Sequence, residues 1–218
     1  MKEENKNGQL PEKEQLLSSL RNAEEMYVFM SLCTKMPYVL CDEETFDDEV
    51  LLYYTEEDAQ REGKKLIEQR IPIQIAKIEK KQLLGFFSSL YPMGVNGLLI
   101  NKNMESEARL QLGELVIRPN TEDLPDGKVW VENPQLHLTA LYFMQEMRRQ
   151  EKPELTEELK GLQEEILVNY GRGRFIVAVH KENGMPMLKQ KNGDAYQPIF
   201  TDILEFRKFN KEDQFKTM

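Results

Sequence analysis

The chain has 218 residues, 40% of them apolar and 31% charged, which is an ordinary globular composition for one or two domains. Its 29 basic and 38 acidic residues give a formal charge of −9 and a pI near 5.0. That balance repels phosphate backbones and anionic lipid, so no nucleic acid and no membrane are expected as partners; a protein with a basic surface is.

Residues 1–11 read as a disordered tail, polar and without the apolar core of a signal peptide, so a cytoplasmic location is expected. In that reducing compartment Cys33 and Cys41 are expected to be buried thiols. A helix opens near Glu12, with Leu16, Leu17, Leu20 and Ala23 at helical spacing. Strands are expected at 26–33, 36–41 and 49–54, forming a three-stranded meander. Thr55 with Asp58 three residues later has the form of a capping box and starts a helix that stops near Arg70, before Pro72. The alternating segment 71–78 reads as a half-buried strand. Further expectations are a helix at 80–91, a buried strand at 98–101, and strands at 110–117 and 128–132. Asn133-Pro134 starts a helix to about Gln150 that buries Leu138, Leu141 and Met144. A last long helix, 155–170, turns Leu159, Leu162, Ile166 and Leu167 inward and ends at Gly171-Arg172-Gly173.

Part of the chain is written twice. Met26-Tyr27-Val28-Phe29-Met30 corresponds to Phe175-Ile176-Val177-Ala178-Val179 at an offset of 149, and Thr55 corresponds to Thr201 at 146. This points to a duplicated module. Only 17 residues follow Thr201, so the second copy is expected to lack its closing strand and later elements. The expected architecture is α+β: two related modules of antiparallel or mixed sheet with helices on one face, the second truncated or degenerate. The boundaries are 12–118, a connecting hairpin and helix at 119–153, and 154–218.

Pro198-Ile199-Phe200-Thr201 before a helix, the looser Leu52-Tyr53-Tyr54-Thr55, and Gly97-Leu98-Leu99-Ile100-Asn101 at a strand end resemble the N-terminal domain of the SseB (enhanced serine sensitivity) family. The resemblance covers about 26–103 and 174–210. It implies the fold and carries over no catalytic residue.

Candidate chemistry is sparse. Nine acids and no Lys or Arg lie between 42 and 60. Asp42, Glu43, Glu44, Asp47, Asp48 and Glu49 form a candidate docking face for a basic partner. They lack the glycine and spacing of a calcium loop. His137 and His180 stand apart from other ligands at metal spacing, so structural roles, no metal and no cofactor are expected. There is no Gly-x-Ser-x-Gly elbow, and the Gly171 segment ends a helix instead of cradling phosphate. The function expected is a non-enzymatic cytoplasmic protein-interaction or regulatory module. The alternative is a small-molecule, amino-acid-like sensor or enzyme with Tyr53, Tyr54, Tyr196 and Phe200 lining a cleft between modules.

Overall fold

The computed structural model describes residues 12–118, 124–150 and 154–218, so the tail expected at 1–11 lies outside the described residues. The chain is α+β and divides into two units.

The first unit takes described residues 12–91, 95–118 and 144–150. Helix α1 (Glu12–Asn22) buries Leu20. Strands β1 (Glu25–Ser31), β2 (Val39–Cys41) and β3 (Asp48–Tyr53) follow. The expected meander forms only in part. β1 pairs directly with β3, Tyr27 opposite Tyr53, while β2 pairs with β3 further along, Val39 opposite Val50. The segment just before β2 meets β1 at the isolated bridge Met30–Pro37, where the Ser31 amide donates to the Met36 carbonyl and the Tyr38 amide to the Phe29 carbonyl. The strand expected at 36–41 shrinks to three residues.

Thr55 caps α2 (Glu56–Glu68) as expected, its hydroxyl oxygen accepting the Asp58 amide. β4 (Ile73–Glu79) pairs antiparallel along the whole of β1 and runs straight into α3 (Lys80–Leu90), which Glu79 and Gln82 close with a capping box. β5 (Gly97–Ile100) lies parallel to β3, and β6 (Ala108–Gln111) antiparallel to β5. The sheet order is β4-β1-β3-β5-β6. A strand was expected to run on to Ile117. Instead the chain coils into α4 (Leu112–Leu115), because Leu112 and Leu115, three apart, are both buried.

Burial is continuous along Met26–Phe29, Glu49–Tyr53 and Gly97–Ile100, so the sheet is covered on both faces instead of one. Tyr27, Phe29, Leu51 and Tyr53 pack with Ala59 of α2. The alternate residues Met26, Val28 and Leu52 point to the opposite face, where α3 buries Leu83, Phe87 and Leu90. Neither thiol is fully buried: Cys33 is half-buried and Cys41 exposed at the end of β2.

Helix α5 (Pro134–Arg149) contributes its first ten residues to the second unit and the rest to the first. In the first unit Met144, expected inward, is exposed and Gln145 is buried. The Gln145 side chain accepts from the Val39 amide at 3.3 Å and donates to the Val39 carbonyl at 3.0 Å, so it serves as the missing neighbour of β2.

The second unit takes described residues 92–94, 124–143 and 154–218. The segment 128–132, expected as a strand, is irregular. Val129 is exposed, and no described strand pairs with it. Helix α6 (Glu157–Arg172), capped by Thr156, buries Leu159 but leaves Leu167 exposed. It ends at Gly173, where a Cβ would sit 2.6 Å from Asn133 Oδ1, so only glycine fits. β7 (Ile176–His180) is the centre of a three-stranded sheet. The hairpin β8 (Leu188–Lys189) and β9 (Ala195–Tyr196) is separate and exposed. β10 (Ile199–Phe200) flanks β7 on one side. After α7 (Ile203–Phe209), β11 (Phe215–Thr217) flanks it on the other. The closing strand expected to be missing is therefore present, antiparallel to β7 as β4 is to β1. Ile176, Ala178 and Phe206 form the core, with Phe200, Phe209 and Phe215 packed against it.

The ladders also correct the internal alignment. Tyr27 faces Tyr53 and Ile176 faces Phe200, while α2 is capped by Thr55 and α7 by Asp202. The strand and cap positions correspond at an offset of 147, one more than the matching threonines suggested. Asp202, not Thr201, starts the helix, because its carboxylate reaches the amides of both Leu204 and Glu205.

Candidate functional site

Five of the six acids of the β2–β3 hairpin fall into two groups, and Asp48 is half-buried. Asp42 Oδ1 accepts the amides of Glu44 and Thr45, each at 2.9 Å, and so folds the tip into a tight turn. Its other oxygen meets Arg109 Nη2 at 3.1 Å. Those two backbone donors, helped by the Arg109 charge, hold the Asp42 carboxyl below its usual range against the opposing effect of burial. Asp47 receives the Asn96 and Gln111 side-chain amides, both at 2.7 Å, and the Asp48 amide donates to Asn96 Oδ1. Glu49 is 1% exposed. It reaches Arg109 Nε at 3.3 Å over Gly97, where a Cβ would lie 2.8 Å from its Cγ. Burial pushes the Glu49 carboxyl up, opposed by Arg109. Its Oε2 is buried with no hydrogen-bond partner.

Asp42, Asp47 and Glu49 thus brace the hairpin from within the unit. Glu43 and Glu44 are exposed. Beside them stands a residue that composition did not single out. Phe46 is 76% exposed and held at φ +57°, with its amide bonded to the Asp42 carbonyl at 2.9 Å. A bulky side chain in left-handed backbone costs about 1–2 kcal/mol. Here the cost holds an aromatic ring out in solvent on a rigid turn, beside two free-standing acids. Such a tip offers an apolar anchor with a charged rim, the composition of an interaction hot spot. A Phe in a glycine-free acidic turn was the available signal.

The second unit holds a separate cluster. His137 of α5, Asp202 and Glu205 offer donor atoms that all lie within 4.8 Å of one another. Asp202 is 1% exposed. Burial opposes its ionisation, but the neighbouring His137, the Glu205 amide and the Thr201 hydroxyl outweigh it and keep the carboxyl below its usual range. His137 Nδ1 lies 3.5 Å from Asp202 Oδ2 and is buried without a hydrogen-bond partner. His180 ends β7. Its Nδ1 accepts the Glu182 and Asn183 amides and so shapes the turn that follows. Of the aromatics proposed to line a cleft, Tyr53 is fully buried in the first unit and Phe200 packs among phenylalanines of the second. Tyr54 has a buried hydroxyl, and Tyr196 is exposed.

No protein-family model matches the chain, and no curated protein matches it. Among solved structures, Tic22 from Plasmodium falciparum is similar at 15% identity, over 90% of this chain and 74% of that one, with a TM-score of 0.26. A likeness of that size supports no conclusion about function. Among the described residues, no helix is long and apolar enough to cross a membrane.

Proposed function

We propose that the protein is a non-enzymatic cytoplasmic interaction module of SseB-like type, which docks a partner with a basic surface through the tip of its β2–β3 hairpin. The observation that carries this reading is Phe46, exposed in a strained backbone on a turn that the rest of the unit braces. Strain kept at an exposed ring has no stabilising use within the fold, so a use outside it is inferred. Glu43 and Glu44 supply the charge that a basic partner would meet, and the net charge of −9 would steer its approach. The matching order of β1, β3, α2 and β4 with β7, β10, α7 and β11 supports a duplicated module as the scaffold.

The test is quantitative capture from native lysate at low and moderate salt, with wild type beside a Glu43→Gln/Glu44→Gln variant. Wild type should retain a basic partner at low salt, lose it progressively as salt screens the contact, and hold it more tightly than the variant. Equal retention by both would remove the acidic rim from the account. The sensor reading makes the opposite prediction: a thermal-shift screen of amino acids, serine included, would raise the melting temperature without any protein partner.

A further inference from the structure

We infer that His137, Asp202 and Glu205 form a binding site for one divalent transition-metal cation, with Zn2+ as its representative. The three side chains come from two helices that independent contacts fix in place. Asn133 precedes α5 and accepts the His137 amide on its carbonyl at 2.9 Å. Its side chain donates to the carbonyls of Arg174 and Thr201 at 2.6 and 2.9 Å. That clamp sets the first turn of α5 beside the start of α7, so His137 meets the carboxylates that α7 presents at its cap and first turn.

The donor set suits the ion. One imidazole nitrogen and two carboxylates are ordinary ligands of zinc, with a further position left for water. Metal–ligand bonds of about 2.1 Å in a tetrahedron place donors about 3.4 Å apart. His137 Nδ1 and Asp202 Oδ2 lie 3.5 Å apart, and one donor atom from each of His137, Asp202 and Glu205 lies within 4.8 Å of the other two, so a small closure of the Glu205 side chain brings the set to bonding distance. The supporting contacts are also of the kind that metal ligands need. The Thr201 hydroxyl donates to Asp202 Oδ2 at 2.8 Å, and the Leu204 and Glu205 amides hold Oδ1.

The second observation is the unsatisfied nitrogen. His137 is only 11% exposed and its Nδ1 makes no hydrogen bond, although a carboxylate lies next to it. A buried ring nitrogen left that way is uncommon. A cation held by the two carboxylates would give that nitrogen its partner. One group competes for the site: Lys208 Nζ holds Glu205 Oε1 at 2.5 Å, and binding displaces it.

The experiment is calorimetric titration of the full chain, stripped with chelator, with ZnCl2 at neutral pH. Wild type should bind one zinc. His137→Gln and Glu205→Gln should each weaken binding at least about tenfold. Glu205 is partly exposed, so its variant leaves the fold intact even if the histidine variant does not. Lys208→Ala, which frees Glu205, should bind more tightly than wild type. A Cys33→Ser/Cys41→Ser variant should bind as wild type does, and Co2+ should bind without a thiolate charge-transfer band. Absence of binding, binding undiminished in Glu205→Gln, or binding lost with the two cysteines would each overturn the assignment.

Discussion

Phe46 carries more of the functional account than any other residue, and its backbone makes a stability prediction of unusual sign. Asparagine tolerates the left-handed region far better than phenylalanine, and the exposed ring gives little packing in return. Phe46→Asn should therefore raise unfolding stability by roughly 0.5–1 kcal/mol, read from urea denaturation. A loss of stability would mean that the ring packs within the unit. Glu49 sets a second test. Burial raises its pKa above the ordinary 4.5, so the folded state holds the proton more tightly than the unfolded chain does. Stability contributed by that proton is present at low pH and declines as pH climbs from about the unfolded value of 4.5 through the higher folded one. Glu49→Gln should flatten that decline in denaturation curves measured between pH 4 and 7. An unchanged pH profile would show that Glu49 titrates as an ordinary surface acid. The run of acids was plain in the sequence. Its division into bracing and free members was not, because Arg109, Asn96 and Gln111 reach the hairpin from strands and loops far along the chain.

Among the elements, the helix caps give the sharpest comparison. Thr55 was legible because a capping threonine and an acid three residues on act locally. The matching threonine at 201 misled by one position, since Asp202 beside it competes for the same amides and reaches two of them. Thr201→Ala should cost well under 1 kcal/mol, whereas Asp202→Ala should cost about 1–2 kcal/mol, measured by thermal unfolding. Equal costs would restore the threonine as the cap. Gln145 is a comparable case on α5. Its amide completes β2 in both directions, so Gln145→Ala leaves a buried amide and carbonyl of Val39 unpaired and should cost about 2–3 kcal/mol. Periodicity indicated that this helix buries Leu138 and Leu141, and both are buried. It could not show that a glutamine takes the inward place given to Met144, because the β2 edge that needs it lies elsewhere in the chain. The segment 110–117 failed for a related reason. Apolar residues at 110, 112 and 115 suit a strand and a helical turn alike, and the packing of Leu112 and Leu115 decides between them.

At the scale of the whole molecule, the fold class and most elements could be read from local pattern, while pairing could not. Nothing in Gly97–Ile100 announces that it lies parallel to β3, although its unbroken apolar run is what burial on both faces demands. The recurrence of Met26–Met30 in Phe175–Val179 was visible, and β11 completes the second sheet with a strand too short to register as one beforehand. The functional claim rests on the first unit alone: a rigid acidic hairpin that presents one strained aromatic. The most direct test measures binding and stability on the same variant, Phe46→Asn, with wild type alongside in quantitative capture at low salt. The variant should be at least as stable as wild type and should no longer retain the partner. A partner held equally by both proteins, or no partner held by either, would contradict it.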